Sequence, residues 1–251
     1  MGLAETGIRP AKLVAVPLIL AHRGVHRTQR ENTIGAFRAA RDLGVDGVEL
    51  DVRRCADGQL VVHHDASIAG RPVAATPLAE LPDYVATLAD ALGACVGMVV
   101  NVEIKRAKHP SGPALGAGGI ASQVVELIAG TGRVADVIIS CFDLATCRAA
   151  RSRDSGVRVG WLLHRGRDVA AAVGVARDAH LHAIHPHYRA VTPDAVAAAR
   201  AAGLGVNVWT VNRPRQMDAM IGLGVDAIIT DDPASALTLV GRPPEGRSAL
   251  A

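Results

Sequence analysis

Short apolar runs rich in Val, Ile and Leu alternate with longer stretches rich in Ala, Arg and Leu along this chain of 251 residues. This alternation is typical of parallel β-strands joined by crossover helices. Eight runs are predicted as strands: 18–22, 47–52, 98–105, 137–141, 158–163, 183–185, 205–211 and 227–230. Because eight strand–helix units close into a barrel, we predict an α/β fold with a single TIM-type (β/α)8 barrel.

Local signals refine this prediction at the helices and loops. Asn32 is predicted to cap a helix over 33–43, and Gly44 is predicted to end it. Thr192, which precedes a proline, is predicted to start another helix. The apolar run 60–64 lies in a Pro- and Ala-rich stretch, so we predict a short insertion after the second strand.

Composition and charge limit the classes of partner. With 49% apolar and 20% charged residues, the chain is predicted to form one domain over 1–251, with a flexible leader at 1–12 and a flexible tail at 242–251. The net charge is +3 and arginines are scattered, which argues against a nucleic-acid partner. No apolar run reaches transmembrane length, so we expect no stable membrane insertion. Four cysteines without CxxC spacing favour reduced thiols and a cytoplasmic location; the oligomeric state stays open.

Charged side chains stand at the ends of several predicted strands. They are His22 and Arg23, Glu49 and Asp51, His64, and Glu103 and Lys105. Side chains two positions apart share a strand face, so Glu49 and Asp51 form a carboxylate pair. Any one of these residues is equally well explained as a satisfied polar side chain at a barrel rim. Together, at one barrel mouth, they predict a metal site beside a phosphate cradle.

The chemistry of the carboxylates narrows the choice of metal. Glu49, Asp51 and Glu103 would form an oxygen-rich site, which suits one divalent cation, Ca²⁺ or Mg²⁺. A dedicated zinc site would instead use histidine or cysteine ligands.

Short motifs follow one another in order from the first predicted strand to the last. They are His22-Arg23-Gly24, Glu31-Asn32-Thr33, Glu49-Leu50-Asp51, Asp57-Gly58, His64-Asp65, Glu103-Ile104-Lys105, Trp209-Thr210 and Thr230-Asp231. This order resembles the glycerophosphodiester phosphodiesterase family. The resemblance implies an α/β barrel that uses a divalent metal and two histidines to hydrolyse a small-molecule glycerophosphodiester to sn-glycerol 3-phosphate and an alcohol.

The resemblance also implies roles for individual residues. Glu49, Asp51 and Glu103 are implied to bind the metal, Arg23 and Lys105 to hold phosphate oxygens, and His22 and His64 to transfer protons. We favour His22 as the base and His64 as the acid. These roles agree with the physics of the reaction, since cations that neutralise phosphate oxygens stabilise the charge that forms in the transition state.

Further residues have two interpretations each. Glu31 orients Arg23 or substrate, or it is a favourable contact with a helix dipole. Trp209 forms a wall of the glycerol pocket, or it packs ordinarily at the rim. Asp65 is expected to orient His64. His63 alternates to the opposite face of its strand and is not expected to be catalytic. The other histidines, at 26, 109, 164, 180, 182, 185 and 187, are expected at the rim or surface and not as zinc ligands.

The chain departs from the family pattern in several places. Arg30 stands where the family usually has proline. The Arg-Thr-Thr-like stretch that often follows the His-Asp pair is absent and the insertion is short, and in the family these two segments often shape the alcohol side of the pocket. Two alternatives therefore stay open. One is a lysophospholipase D-like or other phosphodiesterase that acts on a bulkier diester, and the other is a non-catalytic barrel that binds phosphorylated metabolites.

Overall fold

A computed structural model describes residues 16–106, 119–154 and 156–244. The predicted leader at 1–12 lies outside the described residues, as do His109 and the tail beyond residue 244. The prediction of one domain over 1–251 with a flexible leader and tail stays a prediction. Arg242, within the predicted tail, forms a two-pronged ion pair with Asp46, with nitrogen–oxygen distances of 2.8 and 2.6 Å.

Parallel strands form a closed barrel in the described part of the chain. In chain order the strands are β1 (Leu18–His22), β2 (Gly47–Arg54), β3 (Leu60–Val62), β4 (Ser67–Ile68), β5 (Arg71–Pro72), β6 (Val99–Ile104), β7 (Val137–Cys141), β8 (Arg158–Leu163), β9 (Ala183–Pro186), β10 (Gly205–Val208) and β11 (Ala227–Thr230). The order around the barrel is β1-β2-β6-β7-β8-β9-β10-β11, and β11 pairs back onto β1. The predicted (β/α)8 barrel is confirmed.

Helices cover the outside of the barrel. They are α1 (Ile34–Leu43), α2 (Leu88–Ala94), α3 (Gly119–Gly130), α4 (Leu144–Arg153), α5 (Val169–Asp178), α6 (Pro193–Ala201), α7 (Pro214–Leu223) and α8 (Pro233–Leu239). Each presents a buried apolar stripe to the strands. Phe37 of α1, for example, is fully buried, and burial of such a side chain contributes roughly 1.5–3 kcal/mol.

The structure corrects several sequence-based boundaries: β2 ends at Arg54 instead of residue 52, β6 spans 99–104 instead of 98–105, and β9 ends at Pro186 instead of residue 185. One helix cap and one further strand end also differ. Thr33, not Asn32, caps α1, because its side chain accepts the backbone N–H of Ala36. Asn32 turns instead towards the barrel, where it bonds Asp51. The seventh barrel strand ends at Val208 and not at residue 211, because beyond it only a single bridge at Trp209 continues the pairing with the preceding strand. Gly44 and Thr192 bound their helices as predicted.

The insertion after the second barrel strand has its own small core. β3 runs antiparallel to β2, and β4 with β5 forms a separate hairpin. The buried apolar side chains of this unit are Cys55, Val61, Ile68, Val73, Leu81 and Val85. The insertion thereby holds the segment that follows β3, including His64, against the barrel mouth.

The barrel interior contains a histidine that the sequence did not place there. His185 of β9 is fully buried, not at the rim or surface as expected, and its Nε2 lies 2.9 Å from Asn207 Nδ2. The ring fits because Gly160 of β8 has no side chain: a Cβ there would lie 2.3 Å from His185 Nε2. Burial lowers the pKa of His185 to about 3, so the ring is neutral.

Two further features bear on the predicted environment of the protein. All four cysteines are free and buried, and burial raises the pKa of Cys95 to about 12, which makes an inert structural thiol. Among the described residues, every helix is too short or too polar to cross a membrane.

Candidate active site

A pocket of about 170 Å³ opens at the carboxyl ends of the barrel strands, the face at which (β/α)8 enzymes carry their active sites. Its lining consists of His22, Arg23, Glu49, His64, Asn101, Glu103, Lys105, Phe142, Leu162, Trp209, Thr210 and Ile229. The structure thus brings seven of the nine predicted site residues to one pocket. The other two, Asp51 and Glu31, do not line it but contact side chains that do.

Three buried carboxylates form the floor of this region. Glu49, Asp51 and Glu103 are 2%, 1% and 8% exposed. Each offers one oxygen to a group in which all the atoms lie within 4.8 Å of one another. The convergence follows from strand register, because Asp51 of β2 stands beside Glu103 of the neighbouring β6.

The pKa values of the three carboxyl groups shift in different directions. Burial raises the pKa of Glu49 well above its usual range, and the charges of Asp51 and Glu103 raise it further. Burial also raises the pKa of Glu103, with Asp51 adding to the effect. For Asp51 the same burial is outweighed by Lys105 and Arg23, which lower its pKa.

Lys105 lies among these carboxylates. Its Nζ is 3.0 Å from Asp51 Oδ1 and also contacts Glu103 Oε1. Burial lowers the pKa of Lys105, but Asp51 and Glu103 outweigh that effect and raise it. The amine is therefore charged, and it lies at the pocket wall with only 16% of its side chain exposed.

Arg23 is held in an uncommon backbone conformation. Its φ is +58°, a left-handed value that costs a non-glycine residue about 1–3 kcal/mol. The backbone N–H of Arg23 donates to the main-chain oxygen of Glu49 at 2.9 Å and to its Oε2 at 3.1 Å. The guanidinium is fixed by Glu31, whose two oxygens lie 2.9 and 3.1 Å from Nη1. Glu31 thus orients Arg23 from outside the pocket.

Glycine is the only residue type that fits at position 24, next to this turn. The φ of Gly24 is +78°, and a Cβ there would lie 2.7 Å from the carbonyl carbon of Ala36. The backbone of the loop after β1 therefore packs directly on α1.

His22 at the end of β1 is held by a residue that follows the neighbouring strand β11. Its Nδ1 lies 2.6 Å from Asp231 Oδ1, directly after β11. Asn212 fixes that carboxylate, because its Nδ2 donates to Asp231 Oδ2 at 2.5 Å and its Oδ1 accepts the Asp231 N–H at 2.9 Å. Although burial raises the pKa of Asp231, the contacts with His22 outweigh it and hold this pKa well below its usual range. The ionised carboxylate leaves Nε2 of His22 facing the acidic floor, 3.8 Å from Glu49 Oε2.

His64 enters the same pocket from the insertion. Its side chain is 35% exposed, and its Nδ1 lies 2.8 Å from Asp65 Oδ1. The two histidines therefore each have a carboxylate on Nδ1 and line one cavity together.

Aromatic side chains form the opposite wall. Trp209 donates its Nε1–H to the main-chain oxygen of His185 at 2.8 Å, which fixes the indole. Phe142 meets it edge to face at 5.5 Å between ring centroids. This wall supplies an apolar surface facing the charged groups.

Sequence reasoning missed several residues of this site. Asp231 and Asn32 were noted only as parts of motifs or caps, and Asn101 was not assigned a role. A usable signal existed for Asp231, since in a closed barrel the end of the last strand adjoins the end of the first. Asn32 gave no such signal, because a polar residue before a helix is most simply interpreted as its cap.

The acidic floor fits a divalent cation. Oε1 of Glu49 is buried and has no hydrogen-bond partner among the described residues, a costly state for a carboxylate unless a cation binds there. All three groups offer carboxylate oxygens, which hard cations such as Ca²⁺ and Mg²⁺ prefer. Asn32 adds outer support by donating to Asp51 Oδ2 at 2.7 Å.

Comparison with known proteins agrees with this geometry. Residues 22–235 match the model of the glycerophosphoryl diester phosphodiesterase family. The chain belongs to that family. The prediction that this chain is an enzyme, a phosphoric diester hydrolase of the glycerophosphodiester phosphodiesterase type, is confirmed by this membership.

Individual relatives align with nearly the whole of this chain. A glycerophosphodiester phosphodiesterase from Caldanaerobacter subterraneus is 30% identical, with 89% of this chain and 97% of that protein covered. The crystal structure of a glycerophosphodiester phosphodiesterase from Thermotoga maritima is 26% identical with a TM-score of 0.74, covering 90% of this chain and 98% of the other. A phosphodiesterase from Oleispira antarctica, solved with the product sn-glycerol-3-phosphate, has the same fold at 21% identity, with a TM-score of 0.78 and 90% and 97% coverage.

Proposed function

We propose that this protein hydrolyses glycerophosphodiesters to sn-glycerol 3-phosphate and an alcohol with the help of one divalent cation, Ca²⁺ or Mg²⁺. The observation that carries the proposal is the single pocket in which a buried three-carboxylate floor meets two histidines and two cationic side chains. Family membership supports the substrate class, and the product bound to the Oleispira relative supports the phosphate-containing product. The cytoplasmic location stays part of this proposal.

The charged groups have complementary tasks in this proposal. Glu49, Asp51 and Glu103 would hold the cation, which when bound supplies positive charge against the phosphate oxygens. Arg23 and Lys105 both line the pocket and both form an ion pair with Asp51. Each would therefore bind a phosphate oxygen while it keeps its ion pair with this carboxylate. Positive charge placed before the substrate arrives stabilises the transition state without reorganisation.

The two histidines would divide the proton transfers. Asp231 accepts the Nδ1–H of His22, so the Nε2 lone pair is free to accept a proton from the neighbouring hydroxyl of the substrate glycerol as its oxygen bonds to phosphorus. His64, held by Asp65, would donate a proton to the alcohol as the bond between that alcohol and phosphorus breaks. Water would then open the cyclic phosphate to give sn-glycerol 3-phosphate. Such proton transfers are typically worth about 10² to 10⁴ in rate each.

The pocket favours a small diester. Its volume is about 170 Å³, and Trp209 with Phe142 would pack against the carbon skeleton while the cationic groups bind the phosphate. We therefore favour soluble glycerophosphodiesters over lysophospholipids as substrates.

The test is a panel of glycerophosphodiesters assayed for release of glycerol 3-phosphate with added Mg²⁺, added Ca²⁺ or EDTA. We expect release with a cation and loss of release with EDTA. His22→Ala and His64→Ala are expected to lower kcat by about 10² or more, and Glu49→Gln to weaken cation binding measured by calorimetry.

Four results would contradict the proposal. Full activity in EDTA would show that the reaction needs no cation. Full activity of His22→Ala would show that His22 is not the base. Faster cleavage of detergent-dispersed lysolipid than of glycerophosphocholine would favour the bulkier substrate class. Binding of the diesters without turnover would favour a non-catalytic barrel.

A further inference from the structure

His22, His26 and Asp231 form a second cluster of side chains that can bind a metal ion. Nε2 of His26 lies 3.1 Å from Asp231 Oδ1, the same oxygen that lies 2.6 Å from His22 Nδ1. Each of the three residues offers one ligand atom, a ring nitrogen or a carboxylate oxygen, and these atoms all lie within 4.8 Å of one another. This cluster lies on the opposite side of the His22 ring from the acidic floor, because the floor faces Nε2.

We propose that His22, His26 and Asp231 form a binding site for a transition-metal ion of the Zn²⁺ class, and that occupation of this site inhibits hydrolysis. The sequence analysis expected His26 at the rim or surface and not as a zinc ligand. Barrel closure adds a carboxylate to this pair of histidines, since it brings Asp231 of the last unit next to both.

The donor set and its geometry suit such an ion. Two imidazoles and a carboxylate are ligands that Zn²⁺ prefers over Ca²⁺ or Mg²⁺. Zinc bonds of about 2.0–2.2 Å place tetrahedral donors about 3.3 Å apart. The two nitrogen–oxygen distances of 2.6 and 3.1 Å therefore need adjustments of well under 1 Å, and the ligand atoms of the two histidines lie within 4.8 Å of each other. A fourth position is left for water, as in sites with three protein ligands.

The surroundings prepare the site for a cation. Asn212 donates one hydrogen bond to the carboxylate of Asp231 and accepts another from the backbone N–H of Asp231, which is the outer-shell support that fixed ligands need. The three side chains are 20%, 23% and 29% exposed, so an ion can enter from solvent. The nearby Arg27 is paired with Asp232 at 3.5 Å, which reduces its repulsion of a cation.

Inhibition follows from the two nitrogens of one ring. A neutral imidazole carries one proton, and a metal ion on Nδ1 leaves that proton on Nε2. His22 then has no free lone pair towards the substrate and cannot accept a proton. This part of the inference rests on the proposed function, whereas binding of the ion does not.

The test compares wild type with His26→Asn, and uses His180→Asn as the matched control. His180 is exposed on the outside of the barrel at φ +52°, a conformation that asparagine tolerates. Zn²⁺ is titrated into each full-length protein, saturated with Mg²⁺, by calorimetry, and diester hydrolysis is measured in parallel. Co²⁺ replaces Zn²⁺ in an absorption experiment that reports a tetrahedral site.

We expect wild type and His180→Asn to bind one Zn²⁺ equivalent that Mg²⁺ does not displace, with inhibition over the same concentration range. His26→Asn is expected to keep the basal hydrolysis rate and the wild-type melting temperature. Its Zn²⁺ affinity and sensitivity to inhibition should fall at least 10- to 100-fold, the loss typical even for an outer-shell partner, and the tetrahedral Co²⁺ spectrum should disappear.

Equal Zn²⁺ binding by His26→Asn and wild type would overturn the proposal. Inhibition that is relieved by rising Mg²⁺ would also overturn it, because such competition would show that zinc binds at the acidic floor. A protein that hydrolyses none of the diesters would contradict the proposed function alone. The calorimetric comparison would still decide the metal site in that case.

Discussion

His22 and Asp231 are 209 positions apart in the sequence, yet Nδ1 of the first lies 2.6 Å from Oδ1 of the second. The contact exists because β11 pairs with β1 and closes the barrel. A carboxylate on Nδ1 selects the tautomer in which Nε2 can accept a proton, as in other histidine–carboxylate pairs. Asp231 is therefore a positioning residue for the proposed base.

Asp231→Asn is expected to lower kcat by about 10²-fold or more while KM and the melting temperature stay close to the wild-type values. The amide oxygen will turn towards the NH₂ group of Asn212, so the new amide NH₂ faces His22 and forces the proton onto Nε2. Steady-state kinetics and a thermal melt measure both effects. Asp178→Asn, an exposed carboxylate on α5, is the control, and an equal fall in kcat and KM in the Asp231 variant would refute the positioning role.

Asn32→Gly tests the outer support of the proposed cation site. Glycine keeps the left-handed backbone, since φ of Asn32 is +57°, but removes the amide that bonds Asp51. We expect the affinity for Mg²⁺ or Ca²⁺ to fall about 10- to 100-fold, with activity restored at high cation concentration. Calorimetry measures the affinity. Ala69→Gly, which is left-handed but lies in the insertion hairpin, should leave it unchanged.

Gly160→Ala is expected to destabilise the fold by at least about 1–3 kcal/mol, because the new methyl group would lie 2.3 Å from His185 Nε2 inside the barrel. Urea unfolding measures the loss. Gly174→Ala in α5, where a Cβ meets open space, should instead stabilise by about 0.5–1 kcal/mol. Adding His185→Ala to Gly160→Ala should recover part of the loss, and strict additivity of the two changes would show that the clash is not its cause.

The stability of the wild-type protein is expected to fall as the pH drops below about 6.5, because burial lowers the pKa of His185 in the folded state to about 3. Between these values the unfolded chain binds a proton that the folded chain does not, so each pH unit costs about 1.4 kcal/mol. His185→Gln removes this group and should flatten the dependence by that amount. Urea unfolding from pH 7.5 to 4 measures both slopes, and parallel slopes would contradict the assignment.

The arrangement of strands was predictable because each barrel strand is a short, doubly buried run with its own apolar pattern. The run from Ala227 to Thr230 is an example, with all four residues buried and bounds as predicted. The clustering of Glu49, Asp51 and Glu103 was predictable for a related reason. Neighbouring parallel strands end at one face, so residues at their carboxyl ends meet without any knowledge of loops.

Contacts that depend on loop geometry were not predictable. Thr33 and Asn32 are both good helix caps, and only the left-handed turn at Asn32 decides that it faces the barrel. In the sequence, His185 cannot be distinguished from a histidine at the barrel rim. Its place inside the barrel depends on the missing side chain of Gly160 across the adjacent strand.

Pairing of β1 with β11 also bears on how the protein becomes active during its synthesis. A ribosome adds Asp231 to the chain 209 residues after His22, so the imidazole stays unoriented while those residues are synthesised. Under the proposed mechanism, efficient hydrolysis begins when the final strand docks, and turnover then reports completed folding of the barrel.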